Sequence, residues 1–150
     1  MVALAASGQE AGKLAKLKAL EIENGMISLV EYHDSPTSES GRSFNKLPPR
    51  TIVKMVLNPA KGSNIKVEVW LPDAEKWNGR FLGLGNGGAA GSINPGLLAW
   101  PIYGGYAVAT TDMGTAPNAN SGIGNREVWK DFGFRATHLM TVSAKQVLKA

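Results

Sequence analysis

The chain contains Trp77-Asn78-Gly79-Arg80-Phe81-Leu82-Gly83-Leu84-Gly85-Asn86-Gly87-Gly88, a short apolar strand that runs directly into a glycine-rich loop. Five glycines fall between Gly79 and Gly88, and each one costs about 0.5–1 kcal/mol of conformational entropy relative to alanine. So many costly glycines in one stretch indicate that the backbone there must be free of side chains. We therefore expect the loop to present backbone N–H groups to an anion.

Apolar periodicity on both sides of the loop predicts the order of the elements. Strands are expected over residues 26–32, 51–57, 65–71, 80–84 and 106–111, and helices over 12–20 and 134–148. The second and third strands are joined by a turn and form an antiparallel hairpin, whereas residues 34–41 and 113–125 are expected to be loops. The strand at 106–111 is apolar on both faces, which is typical of the interior of an α/β sheet. The sequence predicts a helical segment over 1–24 and one α/β domain over 25–150.

Composition excludes several classes of protein. The 150 residues are 43% hydrophobic and contain no cysteine, which allows one domain with a real core but no disulfide and no thiolate metal site. Sixteen Lys and Arg against twelve Asp and Glu give a net charge of +4. The basic residues are scattered except for Lys13, Lys16 and Lys18. The spacing of these three indicates the solvent-exposed face of a helix rather than a nucleic-acid interface.

Membrane and metal functions find no support in the sequence. No apolar run approaches the ~20 residues of a spanning helix, and residues 1–7 lack the basic start and long apolar core of a signal peptide. The two histidines, His33 and His138, are far apart and have no carboxylates at ligand spacing, so no metal site is expected. We expect His33 to be exposed at a strand end and His138 to be packed or to cap a helix.

The predicted order of hairpin, strand, glycine loop, strand and long helix is the order in which an α/β-hydrolase domain begins. In that fold the loop after the third strand supplies one oxyanion-hole N–H, and the second comes from the residue after the nucleophile. By position, Gly85 or Asn86 is the expected donor, and Gly87 and Gly88 leave room for a substrate acyl group. No Gly-x-Ser-x-Gly nucleophile turn occurs in the chain.

Two alternatives remain for the same loop: a tight turn whose glycines only permit close packing, and a dinucleotide site. Residues 83–88 spell G-x-G-x-x-G, and Asp112 follows a later strand, which is close to a dinucleotide fingerprint. That site needs a helix that begins at the third glycine. Residues 89–96 contain Gly91, Pro95 and Gly96, which have low helix propensity. The dinucleotide site therefore ranks behind the oxyanion-hole loop.

Several blocks of the sequence resemble the tannase and feruloyl esterase family over about residues 65–148. They include Val67-Glu68-Val69-Trp70-Leu71-Pro72, Trp77-Asn78-Gly79-Arg80-Phe81-Leu82-Gly83, Gly85-Asn86-Gly87-Gly88, Gly91-Ser92-Ile93, Gly105-Tyr106-Ala107, Thr111-Asp112 and Asp131-Phe132-Gly133-Phe134-Arg135-Ala136-x-His138. The resemblance implies a serine hydrolase of the α/β-hydrolase fold that acts on esters of phenolic acids and is secreted or periplasmic. It also implies a nucleophile, an acid, a histidine and a lid that follow later in the chain. Two departures are Thr115, where a histidine often follows Asp-x-Gly, and the absence of a cysteine after Leu47-Pro48.

Three further residues, Asp112, Trp100 and Trp129, are candidates for the site, and Asp131 is expected to have a structural role. Asp112, at the end of a strand, is expected to order the neighbouring loop and border the substrate, and Asp131 to cap the last helix. Trp100 and Trp129 flank the predicted loops and are candidates for stacking an aromatic acid.

Together these observations predict the amino-terminal part of a phenolic-acid esterase that supplies the oxyanion loop but no triad and is inactive alone. No cofactor is expected. Its partners would be the phenolic ester and the rest of the domain, or a second copy bound through the exposed sheet and the last helix. The stripe of Leu139, Met140, Val147 and Leu148 on that helix is expected to be partly exposed or covered by another chain. The alternative is a non-catalytic binding module whose glycine loop holds a nucleotide or an aromatic ligand.

Overall fold

A computed structural model describes residues 8–34, 38–39, 42–43 and 47–150 and has a mixed α/β architecture. Its helices are α1 (Gly8–Lys18), α2 (Pro95–Tyr103), α3 (Arg126–Lys130) and α4 (Ala136–Lys149), with a 3-10 turn over Ala119–Gly122 and a π-helical turn over Asp131–Arg135. Its strands are β1 (Gly25–His33), β2 (Ser38–Glu39), β3 (Arg42–Ser43), β4 (Arg50–Leu57), β5 (Ile65–Pro72), β6 (Phe81–Leu84) and β7 (Ala107–Thr111).

The described strands form a five-stranded sheet in the order β1-β4-β5-β7-β6 and a separate pair, β2-β3. The pairings β1-β4, β4-β5 and β5-β7 are antiparallel, whereas β6 runs parallel to β7, with Phe81 opposite Ala107 and Leu84 opposite Thr110. A parallel pair needs a crossover connection, and residues 85–106 with α2 supply it. Because β6 and β7 are parallel, their carboxyl ends meet at one edge, where the glycine loop and Asp112 lie.

Helices cover both faces of the central strands. On one face, α1 and α4 bury Leu17, Met140 and Val147 in a cluster with Val53 and Ala109 of the sheet. On the opposite face, α2 buries its apolar side in a second cluster, which contains Ile52, Trp70, Leu98, Ile102 and Val108. Neighbouring strand residues alternate between the clusters because successive side chains point to opposite faces. This explains why every residue of β7 is buried.

The predicted strands and hairpin are confirmed, with ends that differ by at most one residue from those expected. The first helix spans Gly8–Lys18 rather than 12–20, and the 113–125 loop contains the 3-10 turn. The last helix, expected over 134–148, is the end of a longer helical run that begins at Arg126. Residues 1–7 and most of the expected loop over 34–41 lie outside the described residues.

Helix α2 was not expected from the sequence. It begins where the side-chain Oδ1 of Asn94 accepts a hydrogen bond from the Gly96 N–H at 3.0 Å, with Pro95 at the first helical position. Both features favour a helix start. None of the described helices combines the length and apolar character that crossing a bilayer requires.

Candidate active site

The candidate site lies at the edge of the sheet where β6 and β7 both end. Residues 85–91 leave β6, and residues 111–115 leave β7 beside them. Main-chain and side-chain hydrogen bonds join the two segments, including one from the Gly91 N–H to the Asp112 carbonyl at 3.3 Å. The fold therefore brings together the glycine loop and Asp112, which are separate in the sequence.

The glycine loop leaves several backbone donors free. In the part of the chain that the structure describes, the N–H groups of residues 85–88 donate no hydrogen bond to another protein group. Gly85, Gly87 and Gly88 are exposed, and a Cβ built on any of them would meet no heavy atom within 4 Å. Gly88 adopts a φ of 59°, in the left-handed region. The loop can therefore offer N–H groups to a ligand in open space.

Side chains tie the start of this loop to β7. The Asn86 side-chain amide donates to the carbonyl of Thr111, and the Thr110 hydroxyl donates to the carbonyl of Leu84 at 3.2 Å. The Asn86 side chain is thus used to hold the loop, which leaves its backbone N–H as the group that can face a ligand.

The end of the loop is held by Thr115 and closed by Gly91. The Thr115 side chain is fully buried, and its hydroxyl donates to the carbonyl of Ala89 at 2.5 Å. Gly91 has a φ of 91°, and a Cβ there would lie 2.8 Å from the Pro117 carbonyl oxygen. Sequence reasoning did not assign either residue to the site. In the sequence Thr115 stands out only as a departure from the family pattern, and no local signal connects it to Ala89.

Asp112 is turned into the protein. It is 1% exposed, and its Oδ1 accepts hydrogen bonds at 2.9 Å from the backbone N–H groups of Lys66 and Gly114. Among the described residues its Oδ2 has no hydrogen-bond partner. Burial raises the pKa of this carboxyl, and the bonds from Gly114 and Lys66 oppose the rise. The placement supports the expected role in ordering the loop and does not favour direct contact with a substrate.

Asp131 does not cap the last helix, contrary to expectation. Helix α4 has no side-chain cap, and Asp131 lies in the π-helical turn that precedes it. Its buried carboxylate accepts from the Ser63 hydroxyl at 2.5 Å and pairs with the Arg135 guanidinium at 2.5 Å. Asp131 therefore joins the helical run to the turn between β4 and β5.

The two candidate tryptophans lie on different helices. Trp100 is 61% exposed on α2, which covers one face of the sheet. Trp129 is 46% exposed on α3, which leads to the helix on the opposite face, and its ring makes an edge contact with Phe132 at a centroid distance of 6.1 Å. Nothing in this arrangement places the two rings against one another.

The histidines differ from expectation. His138 is exposed on α4 rather than packed. The His33 side chain is only 15% exposed and lies 3.1 Å from the Glu31 carboxylate. Across the described ranges, no group of three or more His, Asp or Glu side chains is arranged to hold a metal ion.

The dinucleotide alternative loses its structural basis. No helix begins at Gly88, and α2 starts only at Pro95. The pyrophosphate of a dinucleotide binds at the N-terminus of the helix that follows the third glycine. The loop is followed instead by Ala90, with a φ of 54°, and by the turn at Gly91.

Comparisons with known proteins agree on one family. The family model described as "Tannase and feruloyl esterase" matches residues 51–150. A probable feruloyl esterase B-2 of Aspergillus flavus is 38% identical over 99 residues, which are 65% of this chain and 19% of that protein. An uncharacterised esterase of Xanthomonas campestris pv. campestris is 31% identical over 99% of this chain and 26% of its own length.

A comparison with solved structures also finds a feruloyl esterase. The crystal structure of feruloyl esterase B from Aspergillus oryzae superposes with a TM-score of 0.82 at 27% identity, and covers 92% of this chain and 28% of the other. The chain therefore spans about a quarter of that structure, and about a fifth to a quarter of the two curated relatives.

Proposed function

The chain belongs to the tannase and feruloyl esterase family, and on this premise we propose that its glycine loop is half of the oxyanion hole of an enzyme that hydrolyses phenolic-acid esters. The nucleophile, the acid, the histidine base and the second oxyanion donor would come from residues beyond these 150. The chain alone is then catalytically silent, because it contains no Gly-x-Ser-x-Gly turn.

The observation that carries the proposal is the set of unbonded N–H groups over residues 85–88 at the carboxyl end of β6. Ester hydrolysis by a serine nucleophile places negative charge on the carbonyl oxygen of the substrate. Fixed N–H donors stabilise that charge, and loss of one donor raises the barrier by about 2.7–4 kcal/mol in known serine hydrolases. A loop that is tied to β7 by side chains while its N–H groups stay free suits this task.

Within the loop, Gly85 and Asn86 are the proposed donors. Both follow β6 directly, and the Asn86 side chain holds its own backbone in place through Thr111. The open space at Gly87 and Gly88 would receive the acyl group of the substrate. Phenolic acids are the proposed acyl groups because named relatives are feruloyl esterases.

The first test is the intact mass of the protein as its source produces it. We expect a mass several times the 15.9 kDa of these 150 residues, together with hydrolysis of methyl ferulate or methyl gallate by the purified protein. A mass that matches the 150 residues, or a longer protein that hydrolyses neither ester, would overturn the proposal.

A matched pair of glycine variants in that longer protein tests the loop itself. Gly88 and Gly79 both have a positive φ, 59° and 77°, and a Cβ at either one meets nothing within 4 Å. Valine is strongly disfavoured in this backbone region, so each Gly→Val change should force a local rearrangement. Gly88→Val would displace the N–H donors, whereas Gly79→Val would alter the turn before β6, at the opposite end of that strand.

We expect Gly88→Val to lower kcat by about a hundredfold, the size of effect that a misplacement of about 1 Å produces. Gly79→Val should leave kcat within about threefold of the unmodified enzyme. Both variants should lower the melting temperature by similar amounts. Equal kcat values for the two variants would show that the loop is not part of the catalytic site.

A further inference from the structure

We propose that Thr115 is a positioning residue, whose hydroxyl fixes the backbone of the glycine loop and so aims its N–H groups. This inference rests on the function proposed above and adds a residue outside the loop to the machinery of the oxyanion hole. It follows from how the segments after β6 and β7 are joined.

The hydroxyl of Thr115 has one proton and two backbone acceptors within reach. Its Oγ1 lies 2.5 Å from the Ala89 carbonyl oxygen and 3.2 Å from the Asp112 carbonyl oxygen. A hydroxyl donates a single hydrogen bond, and the shorter distance assigns the proton to Ala89. Thr115 is fully buried and Ala89 is half-buried, so the hydroxyl is shielded from water on the donor side of this bond.

The segment that carries Thr115 is itself held by hydrogen bonds to the end of β7. Met113 and Gly114 have φ values of 61° and 72°, an unusual pair of left-handed residues. The Met113 N–H donates to the Thr111 hydroxyl, the Gly114 N–H to the Asp112 carboxylate and the Thr115 N–H to the Asp112 carbonyl. Three hydrogen bonds thus hold the turn in one conformation and attach it to β7.

Between its attachments to β7 at Asn86 and to Asp112 at Gly91, the glycine loop has little of its own to hold it. It contains one internal backbone bond, from the Ala90 N–H to the Gly87 carbonyl at 3.2 Å, and Ala90 has the strained φ of 54°. A non-glycine residue keeps such a φ only where its surroundings impose it. The bond from Thr115 to the Ala89 carbonyl acts on the peptide unit that leads into Ala90. We infer that this bond selects the loop conformation in which the N–H groups of residues 85–88 stay free of bonds to other described groups of the protein.

The first experiment measures loop order in the protein as its source produces it, without any need for catalysis. Thr115→Val removes the hydroxyl and keeps the shape of the side chain, and Thr115→Ser restores the hydroxyl. The matched control is Thr51→Val, since Thr51 is also fully buried and its hydroxyl bonds to Glu10, far from the loop. The readout is the nitrogen-15 order parameter of the amides of residues 85–88.

In Thr115→Val we expect these order parameters to fall from about 0.85, typical of rigid backbone, to below about 0.6. Thr115→Ser and Thr51→Val should keep the original values. Unchanged order parameters in Thr115→Val would overturn the inference, whatever the enzyme does.

The second experiment measures hydrolysis by the longer protein. A positioning role predicts that Thr115→Val lowers kcat by about tenfold to a hundredfold with little change in KM, and that Thr115→Ser recovers most of it. A purely structural role would lower the melting temperature without changing the kcat of the folded enzyme. If Thr115→Val leaves kcat intact while Gly88→Val abolishes it, this inference fails and the proposed function stands. If the longer protein hydrolyses no ester, the proposed function fails, and the order parameters still decide the role of Thr115.

Discussion

Individual glycines of the loop have different physical roles. At Gly85 the backbone is not left-handed and a Cβ would enter open space, so the absence of a side chain there leaves room for a ligand and does not relieve strain. At Gly91 the φ of 91° and the Pro117 carbonyl both exclude a side chain. Gly85 therefore belongs to the proposed substrate surface, and Gly91 to the packing that shapes it.

This contrast predicts opposite outcomes for the same substitution. Gly91→Ala should lower the free energy of unfolding by about 2 kcal/mol or more, because a left-handed alanine costs roughly 1–2 kcal/mol and its Cβ would overlap the Pro117 carbonyl oxygen. Gly85→Ala should change stability by no more than about 0.5 kcal/mol. Urea unfolding of the two variants of the chain checks this, and equal losses would show that the loop is not packed as the structure has it.

At the scale of elements, the local pattern of apolar and β-branched residues predicts much of the fold. The five strands of the main sheet follow from runs of β-branched and apolar residues, and their ends agree with the predicted ones to within one residue. The two-residue strands β2 and β3 are not predicted, and β2 falls in the segment expected to be a loop. The sequence does not predict helix α2, because Gly91, Pro95 and Gly96 have low helix propensity, although Asn94-Pro95 is a helix-start signal.

The site was predictable only in part, for a physical reason. The glycine loop and Asp112 stand at strand ends, and parallel strands bring their carboxyl ends together, so their proximity follows from topology. The bond between Thr115 and Ala89 joins residues 26 positions apart and depends on a turn with two left-handed residues. No periodicity or composition encodes such a contact.

The junction between α3 and α4 depends on one buried carboxylate. Asp131 accepts from Arg135 in the helical run and from Ser63 in the turn between β4 and β5. Asp131→Ala would leave Arg135 with Glu127, at 2.8 Å, as its remaining carboxylate partner, and the buried Ser63 hydroxyl without its acceptor. We expect a loss of about 2 kcal/mol in the free energy of unfolding, because hydrogen bonds to a charged group are lost, measured by denaturant titration. The matched control, Lys130→Ala, removes an exposed ion pair with Glu127 and should change little, so similar losses would rule out a special role for Asp131.

At the scale of the whole molecule, β6 lies at one end of the described sheet, with β7 on one side and no strand on the other. Helix α4 buries Met140 and Val147 against the sheet, while Leu139 and Leu148 of the expected stripe are half-buried. Two further apolar residues of the helical run, Phe134 and Val142, are 64% and 40% exposed. The open edge of β6 and these exposed apolar side chains are the surfaces that we propose the rest of the domain covers.

The isolated 150-residue chain should therefore associate with itself. An unpaired strand edge offers N–H and carbonyl groups to another chain, and exposed apolar side chains add a driving force for contact. We expect concentration-dependent sedimentation and binding of an apolar dye, both reduced in the double variant Phe134→Glu, Val142→Lys. As control, Met26→Lys changes another exposed apolar residue, on the strand at the opposite end of the sheet, and should leave association unchanged. A chain that stays monomeric at all concentrations, unfolds cooperatively and binds no dye would mean that these surfaces need no cover, and the 150 residues would then be a self-sufficient unit rather than part of a larger hydrolase domain.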